Sequence, residues 1–218
     1  MDTLAYVIEK YGLTLGKRSP IEIPNIGRDN LPELFRELEF IEGAEIGVEQ
    51  GVYSEILCQG VPNLRLHCVD AWTTYKGYRD HVSQEKLDSF YQATEQRLAP
   101  YDVDLIRAFS MDALERIRDN WLDFVYIDAN HEIPYVIDDI CAWARKVRKG
   151  GIIAGHDYKE SRRPITHNHV VPALNCVMRA WRVHPWFLVG VRAKTPGTIR
   201  DKSRSWFWVK GSEFAYRL

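Results

Sequence analysis

The sequence predicts a doubly wound α/β domain. Its sheet is mostly parallel and seven-stranded, with helices on both faces and an antiparallel C-terminal edge hairpin. Three observations predict it. Short apolar runs alternate with amphipathic stretches from about residue 44 to residue 154, a pattern that implies right-handed βαβ crossovers and a parallel sheet covered on both sides. Five segments (45–51, 70–72, 109–112, 128–131 and 155–158) place glycine or polar residues directly after apolar ones, as strand ends facing a cleft do. The segment Lys194-Thr195-Pro196-Gly197-Thr198 joins the last two apolar runs and suits a hairpin turn.

The elements follow in order. Residues 44–48 read as a strand and 52–58 as a helix; 65–70 is the next strand. Over 84–98, Leu87, Tyr91, Thr94 and Leu98 fall on one helical face. A strand at 103–106, a helix near 111–117 and a strand at 123–128 come next. Pro134 suits a first helical turn, and Val136, Ile140, Ala144 and Val147 recur at helical spacing. Gly150-Gly151 is expected to stop that helix before a strand at 152–154, while Lys146, Arg148 and Lys149 suit its C-terminal dipole. A helix at 171–182 and strands at 186–191 and 205–210 complete the domain, 41–218. Residues 1–40 form an N-terminal helical extension, with helices at 2–11 and 31–39.

Composition narrows the function. The 218 residues carry 29 Lys+Arg against 30 Asp+Glu, a net charge of −1, which argues against a nucleic-acid binder working through a basic face. The one basic stretch holds Arg192, Lys194, Arg200, Lys202, Arg204 and Lys210 against Asp201, and reads as a solvated hairpin. Apolar runs such as 206–209 fall far short of the ~20 residues that span a bilayer, so no membrane partner is expected. Met1-Asp2-Thr3-Leu4 lacks the start of a secretory signal, and Cys58, Cys68, Cys141 and Cys176 form no CxxC pair. They are expected to be reduced core thiols of a cytoplasmic protein. The aromatic end (Trp206, Phe207, Trp208, Phe214, Tyr216) could pack internally or against a second subunit, so a homo-oligomer stays open.

Ligands of open α/β sheets bind beyond the carboxyl ends of the strands. In Glu45-Ile46-Gly47-Val48-Glu49-Gln50-Gly51, Gly47 and Gly51 permit a tight turn and close backbone approach. The spacing is GxxxG, so the fingerprint that seats a pyrophosphate is incomplete. Asp70 follows Gly51 by nineteen residues and ends the next strand, where a carboxylate can accept from both ribose hydroxyls. A glycine pair alone is more often a packing device; joined to Asp70, it points to a nucleoside ligand without a demanding diphosphate.

With these motifs and the segment DFVYIDANHEIPYVIDDICAWARKVRKGGIIAGHDY in order, residues 42–160 resemble the class I S-adenosylmethionine-dependent methyltransferases, which are Rossmann-like, and within them methyltransferase family 24. The resemblance implies S-adenosylmethionine as cofactor, with Glu45, Gly47 and Gly51 around its methionine part and Asp70 on the ribose. Ala71, Trp72, Ser110 and Met111 would border the adenine, and Asp128 the sulfonium. Trp72 as a packing aromatic and Ser110 as a helix cap are equally available readings.

Methyl transfer needs an in-line nucleophile, loss of its proton and exclusion of water. Asp128, His131, His156 and Asp157 are the candidates for proton removal, a histidine near its ordinary range needing little tuning. Some relatives bind magnesium through three carboxylates; the matching positions here, Asp128, His156 and Asp157, could hold a divalent cation, with His156 favouring a softer ion. Lys159, Arg162, Arg163, His167 and His169 follow this strand end and could contact substrate, although solvation explains them equally well. Asp138 and Asp139 are expected on the solvent side of their helix. The expected activity is O-methylation of a small-molecule or sugar hydroxyl. A nicotinamide-dependent oxidoreductase and a non-catalytic nucleoside-binding domain are the alternatives.

Overall fold

The computed structural model describes residues 2–75, 82–159, 167–193 and 195–211; Arg162, Arg163, Lys194, Phe214 and Tyr216 lie outside the described residues. Eight strands form one sheet: β1 (Ile21–Ile23), β2 (Glu42–Ile46), β3 (Arg65–Asp70), β4 (Val103–Arg107), β5 (Leu122–Ile127), β6 (Val147–Tyr158), β7 (Phe187–Val189) and β8 (Arg204–Val209). Their order is β1-β7-β8-β6-β5-β2-β3-β4. β8 runs antiparallel to β6 and β7, and every other pair is parallel. β2 pairs with β3 on one side and β5 on the other, so the chain winds outward to β4 and then returns. The crevice above β2 and β5 is the topological switch point.

Alternation along the strands sets the two faces. Ala44, Ile46, Val125 and Ile127 pack with α6 (Ile133–Lys146) and α7 (Val170–Ala180) through Val136, Ile140, Trp143 and Leu174. Leu66, Cys68, Phe124 and Tyr126 face the opposite core, shared with Val7 of α1 (Thr3–Lys10), Phe35 of α2 (Leu31–Glu37), Leu57 of α3 (Val52–Gly60) and Leu98 of α4 (Gln84–Leu98). Residues that alternate by two thus feed both helical layers. The short α5 (Ser110–Ala113) follows β4.

The structure departs from the sequence expectations in three places. The eighth strand, β1, comes from the connector within residues 1–40 and pairs with β7, so the C-terminal hairpin lies inside the sheet edge. Three residues between Pro20 and Pro24 are too short a run for periodicity to reveal. Helix α6 ends at Lys146, and Gly150 and Gly151 lie within β6, where the pairing with β5 shifts between Leu122 and Phe124. Gly151 serves close approach there, since a Cβ would stand 2.5 Å from the Asp123 carbonyl. All four cysteines are free, but Cys141 is half-buried and Cys176 exposed, so only Cys58 and Cys68 are core thiols. No helix among the described residues is long and apolar enough to cross a membrane.

Candidate active site

A cleft of about 870 Å³ opens at the switch point. Its floor is the turn after β2. Gly47 has φ +91, and a Cβ on it would meet the Asp128 carbonyl oxygen at 2.3 Å, so the turns after β2 and β5 touch only because this residue is glycine. Gly51, at φ +71, starts α3. Between them Glu49 adopts φ 53, an uncommon conformation for a residue with a side chain. The surroundings hold it there. Val48 and Glu49 N–H donate to Asp70 Oδ2 at 3.0 and 2.9 Å, and Trp72 N–H donates to Oδ1 at 2.9 Å. Trp72 Nε1 and Thr94 Oγ1 donate to the Glu49 carbonyl at 2.7 and 3.1 Å, and Arg97 Nε donates to that of Gln50. The loop is therefore pre-formed, with Asp70 as its internal clamp.

Glu45 lies beneath this turn, 1% exposed, and accepts a hydrogen bond from Ser54 Oγ. Burial pushes its carboxyl up to about 8, against the opposing pull of Ser54 and Arg28. Trp72 is buried and meets Tyr91 edge-on at 4.9 Å, so its ring packs and braces while its segment lines the cleft. The aromatic wall consists instead of Tyr75, Phe109 and Tyr135, with Tyr75 5.7 Å from Phe109 and 6.4 Å from Tyr135. Ala71 and the half-exposed Met111 line the same wall. Ser110 does not cap a helix. Its Oγ donates to Asp139 and accepts from Trp143 Nε1 at 2.7 Å.

Asp139 corrects an expectation: it is 4% exposed and lines the cleft, while Asp138 is exposed. Burial raises its carboxyl to about 7 against the Ser110 hydrogen bond. Helical spacing carries the signal, because position 139 falls inside the arc of Val136, Ile140 and Trp143 that packs on the sheet.

At the other end of the cleft the ends of β5 and β6 bring Asp128, His131, His156 and Asp157 together, and of these Asp128 and His131 line it. His131 Nε2 is 2.9 Å from Asp157 Oδ2 and 3.5 Å from Asp128 Oδ1. His156 Nδ1 is 3.6 Å from Asp128 Oδ2 and 3.7 Å from Asp157 Oδ2. Asp157 sits at φ 57, which turns its carboxylate into the group. Burial opposes charge on all four residues, but mutual pairing outweighs it: both carboxylates lie below their ordinary range, and His131 and His156 rise to about 10 and about 9. Imidazoles near their ordinary range, as the sequence reading assumed, are therefore not what the site holds, because each faces two carboxylates.

Asp128, His131 and Asp157 offer ligand atoms that lie within 4.8 Å of one another. His131 Nε2 is buried and, despite its short contacts, makes no hydrogen bond of proper geometry among the described residues. One imidazole nitrogen and two carboxylates grouped this closely are a donor set that could hold a divalent cation. His131, rather than His156, completes this set.

Arg28 was not singled out from the sequence. It enters from a 3₁₀ turn (Arg28–Asn30) in the N-terminal segment. Its Nη2 is 3.0 Å from Asp128 Oδ2, and its guanidinium lies 3.9 Å from the Tyr53 ring centroid. No local motif marks it. His167 lines the cleft, whereas His169 is a tether: its Nδ1 accepts from Ile133 N–H at 3.1 Å, and its N–H donates to the His131 carbonyl at 2.7 Å. Lys159 is exposed beside Asp157.

Comparison with known proteins places the fold. No curated protein matches the sequence. Among solved structures, the O-methyltransferase TomG of Streptomyces achromogenes, involved in tomaymycin synthesis and in complex with SAM, superposes with a TM-score of 0.59 at 16% identity, over 97% of this chain and 91% of that one. An O-methyltransferase from Bacillus cereus in complex with SAH gives 0.58 at 18%, over 96% and 91%. The N-methyltransferase NodS of Bradyrhizobium japonicum gives 0.56 at 12%, over 85% and 95%. At these identities the likeness is one of fold. A family model described as a methyltransferase domain, that of methyltransferase family 24, matches residues 44–158, which span β2 to β6 and every strand end of the cleft, and the chain belongs to that family.

Proposed function

We propose that the protein transfers the methyl group of S-adenosylmethionine to a hydroxyl oxygen of a small molecule. The observation that carries this is the sharing of one cleft by the glycine turn clamped on Asp70 and by Asp128 and His131, with Asp157 and His156 in contact behind them. A nucleoside laid along the turn, with its base toward the wall of Tyr75, Phe109 and Tyr135, directs its far end to Asp128. The remaining lone pair of Asp70 Oδ1 is then available to a ribose hydroxyl. The O-methyltransferases among the structural neighbours support oxygen as the acceptor atom, and an imidazole of the titratable group, once neutral as pH nears about 9, gives the acceptor proton a place.

In this reading Asp128 and Asp157 orient and hold His131 and His156, and the acceptor proton passes to the neutral form of His156, the imidazole of the lower raised pKa. A divalent cation would be held by Asp128, His131 and Asp157, and would supply a lower acceptor pKa; imidazole in the set favours manganese or zinc over magnesium. Arg28 shares Asp128 with any such ion. A cytoplasmic setting is supported by four unpaired cysteines.

The test is calorimetric titration with S-adenosylmethionine and S-adenosylhomocysteine. Asp70→Asn is the control of choice, because alanine would release the three N–H groups that fix the loop. The expected result is saturable binding that weakens about tenfold or more in the variant. Folded wild-type protein that binds neither ligand sinks the reading, and NAD(H) becomes the next ligand to try.

A further inference from the structure

Arg28 is the one arginine or lysine among the described residues that line the cleft. Its side chain is three-quarters buried and its contacts are few for a guanidinium with five donors: Nη2 faces Asp128 Oδ2 at 3.0 Å, and the plane lies over Tyr53, with the Tyr126 ring centroid at 5.1 Å. The buried Nε has no hydrogen-bond partner among the described residues, so the guanidinium is held mainly by Asp128 and the aromatic rings. Glu45, a carboxyl group beneath the turn, is already engaged by Ser54. Tyr53 Oη donates to the Arg28 carbonyl at 3.2 Å, so α3 fixes the backbone as well as the ring platform.

We propose that Arg28 is a positioning residue that anchors the α-carboxylate of the methyl donor. This rests on the methyl-donor reading above. With the nucleoside between Asp70 and the aromatic wall and the sulfonium at Asp128, the aminoacyl tail continues past Asp128 toward the turn at Gly47, where Arg28 stands. A carboxylate entering a low-dielectric cleft needs a cation and planar donors, and a guanidinium held on two aromatic rings provides both with little loss of side-chain freedom. The same contact ties the N-terminal segment to donor binding, since Arg28 belongs to no part of residues 44–158.

The experiment compares two probes that differ only in that tail: S-adenosylhomocysteine, which carries the carboxylate, and 5′-methylthioadenosine, which lacks it. Both are titrated calorimetrically into wild type, Arg28→Gln and Arg28→Lys. Wild type is expected to prefer S-adenosylhomocysteine. In Arg28→Gln its affinity falls about 10- to 100-fold while that of 5′-methylthioadenosine is unchanged, and Arg28→Lys recovers part of the loss. Retained binding of the tailless probe shows at once that the variant is folded. Unchanged affinity for S-adenosylhomocysteine in Arg28→Gln overturns the proposal, and so does an equal loss for both probes, which would make Arg28 a brace for Asp128 alone. Wild-type protein that binds neither probe overturns the methyl-donor reading itself, and the role of Arg28 falls with it.

Discussion

A carboxyl group such as Glu45 shows how much one buried position can decide. Its raised value of about 8 means that the folded protein keeps a proton which the unfolded chain gives up at the ordinary carboxylate range. Between those two limits the native state binds more protons than the unfolded state, so the contribution to stability falls as pH rises, by at most about 1.4 kcal/mol per pH unit, and levels off above about 8. Glu45→Gln preserves the acceptor for Ser54 Oγ but has no proton to lose. Urea unfolding at pH 5 and pH 8 is therefore expected to show wild type losing more stability than the variant over that interval. Equal losses would mean that Glu45 ionises normally despite its burial. The functional corollary is that at neutral pH the floor of the cleft holds a largely neutral carboxyl, which in the proposed reading leaves Asp128 as the carboxylate offered to the sulfonium.

The N-terminal segment behaves as part of the main fold, because β1 forms the edge of the sheet and Ile23 is fully buried between β7 and the α1–α4 core. Ile23→Ala is expected to cost about 2–4 kcal/mol of unfolding free energy, measured by chemical denaturation. A cost under about 0.5 kcal/mol would mark β1 as a loosely docked strap. The legibility of the elements follows the same logic. Helix α4 was readable to the residue because fifteen positions repeat one face and Ser83 caps its start, accepting from Lys86 N–H at 3.3 Å. Gly47 was readable because a touching backbone demands glycine, whereas Asp70 was singled out for a ribose and its clamping of three loop N–H groups was not foreseen. Arg28, Tyr75 and Tyr135 were not singled out, since their roles arise only when segments distant in sequence converge on the cleft. Asp139 was misassigned for a different reason. Charge was given more weight than its place on the buried arc of α6.

At the scale of the molecule, the strand order decides what ligand binding must do. The cleft takes its walls from segments following β2, β3, β4 and β5, and from Arg28 beyond the matched family region, so no single unit contains it. A ligand that bridges these segments binds the folded chain and not the unfolded one, and it therefore stabilises the whole cooperative unit by mass action. At a hundred times its dissociation constant, S-adenosylhomocysteine is expected to add about 2.7 kcal/mol, which for a chain of this size raises the melting temperature by about 5–10 °C. Scanning calorimetry with and without the ligand measures this, and NAD(H) at the same concentration serves as the comparison. The GxxxG turn brings only two of the three glycines that seat a pyrophosphate, so NAD(H) is expected to leave the transition unmoved. A shift with NAD(H) and none with S-adenosylhomocysteine would reassign the cleft to a dinucleotide. A shift confined to one of two resolved transitions would show that the N-terminal segment and the sheet do not melt as one body, and that Arg28 reaches the site from a part of the chain that can let go of it.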